Sequence, residues 1–125
     1  MKIYLAAKYG DMMKMREVAE FLRNDGHEIT AQWVDGKEAN DTQESAALMD
    51  FEDVLRSDVL VSFSHERGTM HTGGGRHVEF GIALTLGKKI IVCGPRGEHV
   101  FHSMPGVKFV ADMDQLALVL LENES

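Results

Sequence analysis

Residues 58–87, DVLVSFSHERGTMHTGGGRHVEFGIALTLG, decide the fold. The first six, 58–63, form a short apolar run of the kind that makes a strand buried on both faces. A polar loop follows and closes with the consecutive glycines Gly73, Gly74 and Gly75. Residues 77–86 then read as a helix that ends at Gly87, a helix-stop residue, with Glu79 in its first turn. Strand, Gly-rich loop and helix in this order is how α/β proteins build sites at the carboxyl ends of parallel strands. Val78, Ile82 and Leu86 form one apolar row, and Phe80, Gly81, Ala83 and Leu84 make most other directions apolar or small. The helix is therefore expected to be largely buried. Glu79 becomes a carboxylate on an apolar helix with no obvious basic partner, the kind of group whose pKa is perturbed at functional sites. The competing reading is a first-turn glutamate that complements the helix dipole.

The chain on either side supplies the rest of an alternating pattern. Residues 2–7, KIYLAA, read as strand one. Asp11 can cap a helix that runs to Asn24, with Met12, Met15, Val18, Ala19 and Leu22 on one face. Residues 27–34, HEITAQWV, alternate and read as strand two, followed by a polar loop over 35–40. Asp41 or Thr42 starts a second helix through about Arg56, whose apolar members are Ala46, Ala47, Met49, Val54 and Leu55. Residues 89–93 are strand four, broken by Gly94-Pro95. Residues 100–104 suggest a short helical turn, 107–111 are strand five, and Asp112 or Asp114 opens a last helix through Leu121. Five strands alternating with helices imply an α/β, flavodoxin/Rossmann-like three-layer fold: a five-stranded parallel sheet with helices on both faces and right-handed crossovers. We expect the order 2-1-3-4-5, whose crevice between strands one and three would set residues 4–9 against residues 64–79. No repeat or linker interrupts the chain, so residues 1–125 read as a single domain.

Composition excludes several function classes. A net charge of −7 argues against binding a nucleic-acid backbone, although a few local cations could still hold a small anion. The single cysteine, Cys93, sits in an apolar run and reads as core. No apolar stretch reaches membrane-spanning length, and no signal-peptide pattern opens the chain; a soluble, cytoplasmic protein is expected. The loop after strand one is AAKYGD, not the G-x-G-x-x-G of a dinucleotide site, and there is no P-loop. His65, His71, His77, His99 and His102 do not fall at the spacing of a zinc motif. No G-x-S-x-G elbow is present, and Cys93 lacks a credible base. Neither a metal nor a cofactor is expected.

Three stretches carry a family resemblance: KIYLAAKY at the start, ALMDFEDVLRSDVLVSF in the middle, and GGGRHVEFGIALTLGKKIIVCGP. The chain resembles the nucleoside 2-deoxyribosyltransferase family, including its deoxynucleoside 5′-monophosphate N-glycosidase relatives. The resemblance implies an enzyme that cleaves an N-glycosidic bond of a 2′-deoxynucleotide or deoxynucleoside and passes the sugar to water or to another base. It implies Glu79 as nucleophile, Tyr4 as the residue that orients it, and Asp50 as the carboxyl group facing the base. Many transferases of the family carry an Asp six residues before the glutamate, where it binds the sugar 5′-hydroxyl, and the monophosphate-cleaving branch carries a serine; here that position is Gly73. Backbone N–H groups of Gly73 to Gly75 at a helix N-terminus, with Thr72, Arg76, His77 and Lys8, would instead favour a 5′-phosphate. The segment GPRGEHVFHSM, with Arg96, His99, His102 and Ser103, resembles the part that completes a neighbouring subunit's pocket, which implies a homo-oligomer with shared sites. The alternative is a catalytically silent nucleotide-binding or sensor domain on the same scaffold.

Overall fold

The computed structural model describes residues 1–38, 42–71 and 73–124. Strand β1 (Lys2–Ala6) leads through a 3₁₀ turn into helix α1 (Met12–Asn24). Strand β2 (Glu28–Ile29), a second 3₁₀ turn (Gln32–Asp35) and helix α2 (Gln43–Arg56) follow. Strand β3 (Val59–Phe63), helix α3 (Gly75–Thr85) and strand β4 (Lys89–Cys93) form the centre. A third 3₁₀ turn (Val100–Ser103), strand β5 (Lys108–Val110) and helix α4 (Met113–Glu124) complete the chain. The sheet is parallel throughout and ordered β2-β1-β3-β4-β5, the order expected. Tyr4 lies beside Leu60, and Ala6 beside Ser62, at the crevice where the strand order reverses. The core strands are buried on both faces, and α1 and α4 cover them with Met15, Val18, Leu22, Leu116 and Leu120. Among the described residues no helix is long and apolar enough to cross a membrane.

Strand two is shorter than its alternating sequence suggests. Only Glu28–Ile29 pairs with β1, and residues 32–35 coil instead. The cause lies on β1. Carbonyls two residues apart on a strand point the same way. Thr30 N–H takes the Ile3 carbonyl, so the Leu5 carbonyl would be the next ladder acceptor. The Trp33 indole Nε1 occupies it at 2.9 Å. Gln32 is meanwhile drawn to α2, where its backbone N–H and side-chain amide both donate to the buried Asp53 carboxylate at 3.0 Å.

Helix α3 also departs from expectation. It starts at Gly75, so Glu79 falls in the second turn and is not a first-turn dipole partner. The helix is not buried all round: Arg76, Phe80 and Ala83 turn inward, while Val78 and Leu86 of the apolar row are 63% and 49% exposed. Leu55 and Phe51 of α2 are exposed beside them, so one apolar strip crosses both helices. The pattern alone allows either face inward. On the inward face the buried Arg76 guanidinium is paired with the Glu98 carboxylate.

Helix starts follow side-chain chemistry in part. Thr42 caps α2, its hydroxyl accepting from Ser45 N–H at 3.1 Å, and Asp112 accepts from Gln115 N–H at 2.9 Å before α4. Asp41 lies outside the described residues. Asp11 precedes α1 but makes no side-chain capping bond.

Candidate active site

Alternation along β1 sends Ile3 and Leu5 to one face of the sheet and Tyr4 to the other. Tyr4 is fully buried, and its hydroxyl Oη donates to Glu79 Oε2 at 2.6 Å. The strand thus delivers a phenol to the second turn of α3. Above the pair opens a cavity of about 210 Å³. Ala7, Lys8 and Tyr9 form one wall, directly after β1. Trp33 and Glu38 line it beyond β2, Asp50 from α2, and Gly73, Gly74, Gly75, Arg76 and Glu79 from the start of α3.

The acids in this cavity are not ordinary. Burial raises the Glu79 carboxyl to about 8, the Tyr4 hydrogen bond opposes that, and the charge of Glu38 adds to it. Asp50 is raised to about 9 by burial, by a hydrogen bond to Glu38, and by the charges of Glu38, Glu79 and Asp53. Burial, then the charges of Glu79 and Asp50, push the Tyr4 phenol well above its usual range, so it remains a donor. The result is one carboxyl group near its ionisation point and one that keeps its proton at neutral pH, side by side in one pocket. Such a pair can supply a nucleophile and an acid at once.

Glu38 does not stand out in the sequence. It lies in the polar loop over 35–40, and the only signal is position: that loop leaves the carboxyl end of a parallel strand, where sites form. Glu38 Oε1 and Asp50 Oδ1 are both shielded from solvent and have no hydrogen-bond partner among the described residues.

Two of the phosphate-loop expectations need correction. Arg76 lines the cavity, but its guanidinium is held by Glu98 through two bonds, Nη1 to Oε1 at 2.6 Å and Nη2 to Oε2 at 2.5 Å. Both side chains are almost completely enclosed. Burial alone would raise Glu98; the Arg76 and backbone hydrogen bonds and the Arg76 charge hold it at about 2. The guanidinium charge is therefore already matched, and Arg76 is not a free anion receptor. His77 faces away from the cavity, its ring edge-on to His99 at 4.9 Å in a separate groove with Phe80. Thr72 lies outside the described residues. What remains is the backbone at Gly73, Gly74 and Gly75, which leads into the N-terminus of α3, together with Lys8. Lys8 Nζ lies 3.5 Å from His71 Nδ1, and the His71 ring stacks on His65 at 3.9 Å. Gly73 has φ of +76°, a backbone state that a side chain there would strain.

The residues expected to serve a neighbouring pocket divide. His102 is buried within its own chain, its ring 4.3 Å from His99 and 5.7 Å from both Phe80 and Phe109. Its imidazole packs the core behind α3 and does not reach outward. Ser103 is exposed and lies beside Arg96, away from the Glu79 cavity. Among the described residues no group of three or more His, Cys, Asp or Glu is placed to hold a metal ion.

No family model matches the chain, and no curated protein does. A solved structure does: the chain is similar in fold to the CMP N-glycosidase BcmB of Clostridium botulinum, with a TM-score of 0.69. The likeness covers 98% of this chain and 99% of that one at 18% sequence identity.

Proposed function

We propose that the protein cleaves the N-glycosidic bond of a 2′-deoxynucleotide or deoxynucleoside, with transfer of the deoxyribosyl group to water or a second base. The observation that carries this reading is the 2.6 Å bond from Tyr4 to Glu79 at the floor of a cavity that Asp50 also lines. Tyr4 holds Oε2 and leaves Oε1 of Glu79 to approach the sugar. The ionised carboxylate attacks C1′; the C1′–N bond breaks and its electron pair goes to the base. Asp50 gives its proton to a ring nitrogen of the departing base. Water or a second base then attacks C1′ of the glycosyl-enzyme, returns a proton to Asp50 and frees the Glu79 carboxylate. The named activity of the fold neighbour, N-glycosidic cleavage of a nucleoside monophosphate, supports the same class of reaction.

A 5′-phosphate fits the other end of the pocket. The backbone N–H groups at Gly73 to Gly75, leading into the N-terminus of α3, favour an anion, and Lys8, beside His71, takes the place first assigned to Arg76. Phe51, Leu55, Val78 and Leu86 support a homo-oligomer, since a monomer would leave this strip in water. Sedimentation of a fully active monomer at micromolar concentration would remove that part.

The test is base release from each deoxynucleoside and its 5′-monophosphate, with and without an acceptor base. We expect release, with kcat/KM about ten- to a hundredfold higher for the monophosphate, the worth of one or two charge-assisted contacts. Preference for the free nucleoside would make the loop something other than a phosphate site. Tight binding without any release would leave the silent sensor as the better reading.

A further inference from the structure

We infer that Glu38, paired with Asp50, selects a nucleobase that carries an exocyclic amino group. The inference rests on the glycosidic reading and adds to it a residue and a substrate class. Both carboxyl groups line the cavity, from different elements: Glu38 after the second 3₁₀ turn and Asp50 on α2. They are hydrogen-bonded to each other. Glu38 Oε1 and Asp50 Oδ1 are shielded from water, and no other group among the described residues bonds to either. Buried polar atoms in that state are stabilised when a ligand completes them.

Glu79 and the glycine loop take the sugar end of the cavity, which leaves the base to the end lined by Glu38 and Asp50. Trp33 and Tyr9 line the same cavity with ring centroids 6.1 Å apart, an aromatic wall for a planar ring. Two carboxyl groups in contact hold one proton between them, because two adjacent like charges are unfavourable. Asp50 carries it, under the influence of Glu38, Glu79 and Asp53. The Tyr4 hydroxyl is already committed to Glu79. The pair therefore offers several acceptors and a single donor. Its complement is a base with more N–H donors than a diketo ring has: an amino group donating to a free carboxyl oxygen, beside a ring nitrogen that receives the shared proton as the bond breaks. Uracil, thymine and hypoxanthine present a carbonyl where cytosine and adenine present the amino group, and a carbonyl oxygen would meet an acceptor.

The experiment compares amino and keto partners of one shape, cytosine against uracil and adenine against hypoxanthine, as 2′-deoxynucleoside 5′-monophosphates and as free 2′-deoxynucleosides. Base release is measured for the wild type and for Glu38→Gln, an isosteric change that replaces an acceptor by an amide donor. We expect the wild type to favour the amino member of each pair by about ten- to a hundredfold in kcat/KM. In Glu38→Gln the ratio should fall to about one or reverse. Calorimetry on Glu79→Gln, with and without Glu38→Gln, measures the same ratios as affinities, independently of turnover. No amino preference in the wild type, or a preference untouched by Glu38→Gln, overturns the inference and leaves the glycosidic reading standing. Amino-selective binding that Glu38→Gln abolishes, without base release by the wild type, overturns the glycosidic reading and supports the base selectivity. Absence of binding by every ligand overturns both.

Discussion

Replacing Glu79 by glutamine should make the protein more stable and nearly inactive at once. In the folded chain burial holds the Glu79 carboxyl at about 8, against an ordinary value of 4.5. At pH 7 the unfolded chain ionises this group, while the folded chain keeps it mostly neutral. Stability linked to this residue is therefore fully present below about 4.5 and is lost as pH rises towards about 8. From 4.5 to 7 the loss is roughly 1.4 kcal/mol per pH unit, and partial exposure of the carboxyl reduces the total to about 2–3 kcal/mol. Glutamine does not ionise, and its side-chain oxygen can still accept the Tyr4 hydroxyl. Glu79→Gln should thus raise Tm by about 5–10 °C at pH 7 for a domain of this size. The gain should vanish near pH 4.5. Base release should fall by about a thousandfold or more, because an amide is no nucleophile. Scanning calorimetry at the two pH values, run beside the release assay, checks both halves. A Tm gain that is equal at both pH values, or absent at both, would refute burial as the cause of the shift. Turnover near that of the wild type would refute the nucleophile.

Three further outcomes follow from the same geometry. The profile of kcat/KM against pH should be a narrow bell, rising as Glu79 ionises near 8 and falling as Asp50 loses its proton near 9. Tyr4→Phe removes a hydrogen bond that favours ionised Glu79, so the rising limb should move to higher pH; an unmoved limb would sever Tyr4 from the chemistry. Arg76→Ala should leave Glu98 buried without its partner and cost about 3–5 kcal/mol in denaturant unfolding. A selective loss of monophosphate activity with unchanged stability would instead restore Arg76 as a phosphate ligand.

The local patterns that sequence can carry were sufficient for the architecture. Short β-rich runs alternating with amphipathic helices imply a parallel sheet with right-handed crossovers; the order favoured among those this pattern allows is the one observed. The same logic pointed to strand ends and the glycine loop as the place for a site, and to Glu79 as its unusual carboxylate. The limits came where the outcome depended on partners far apart along the chain. Tyr4 and Glu79 are 75 residues apart and meet only because β1 lies beside β3 and beneath α3. Arg76 reads as a loop cation until Glu98, 22 residues later, closes on it at the buried face of α3. Residues 27–34 have a strand's alternation, yet an indole 28 residues from Leu5 takes the next ladder acceptor and ends the pairing. Glu38 had no pattern at all. Its chemistry comes from being held against Asp50 and out of water, and proximity and desolvation are properties of the folded chain alone.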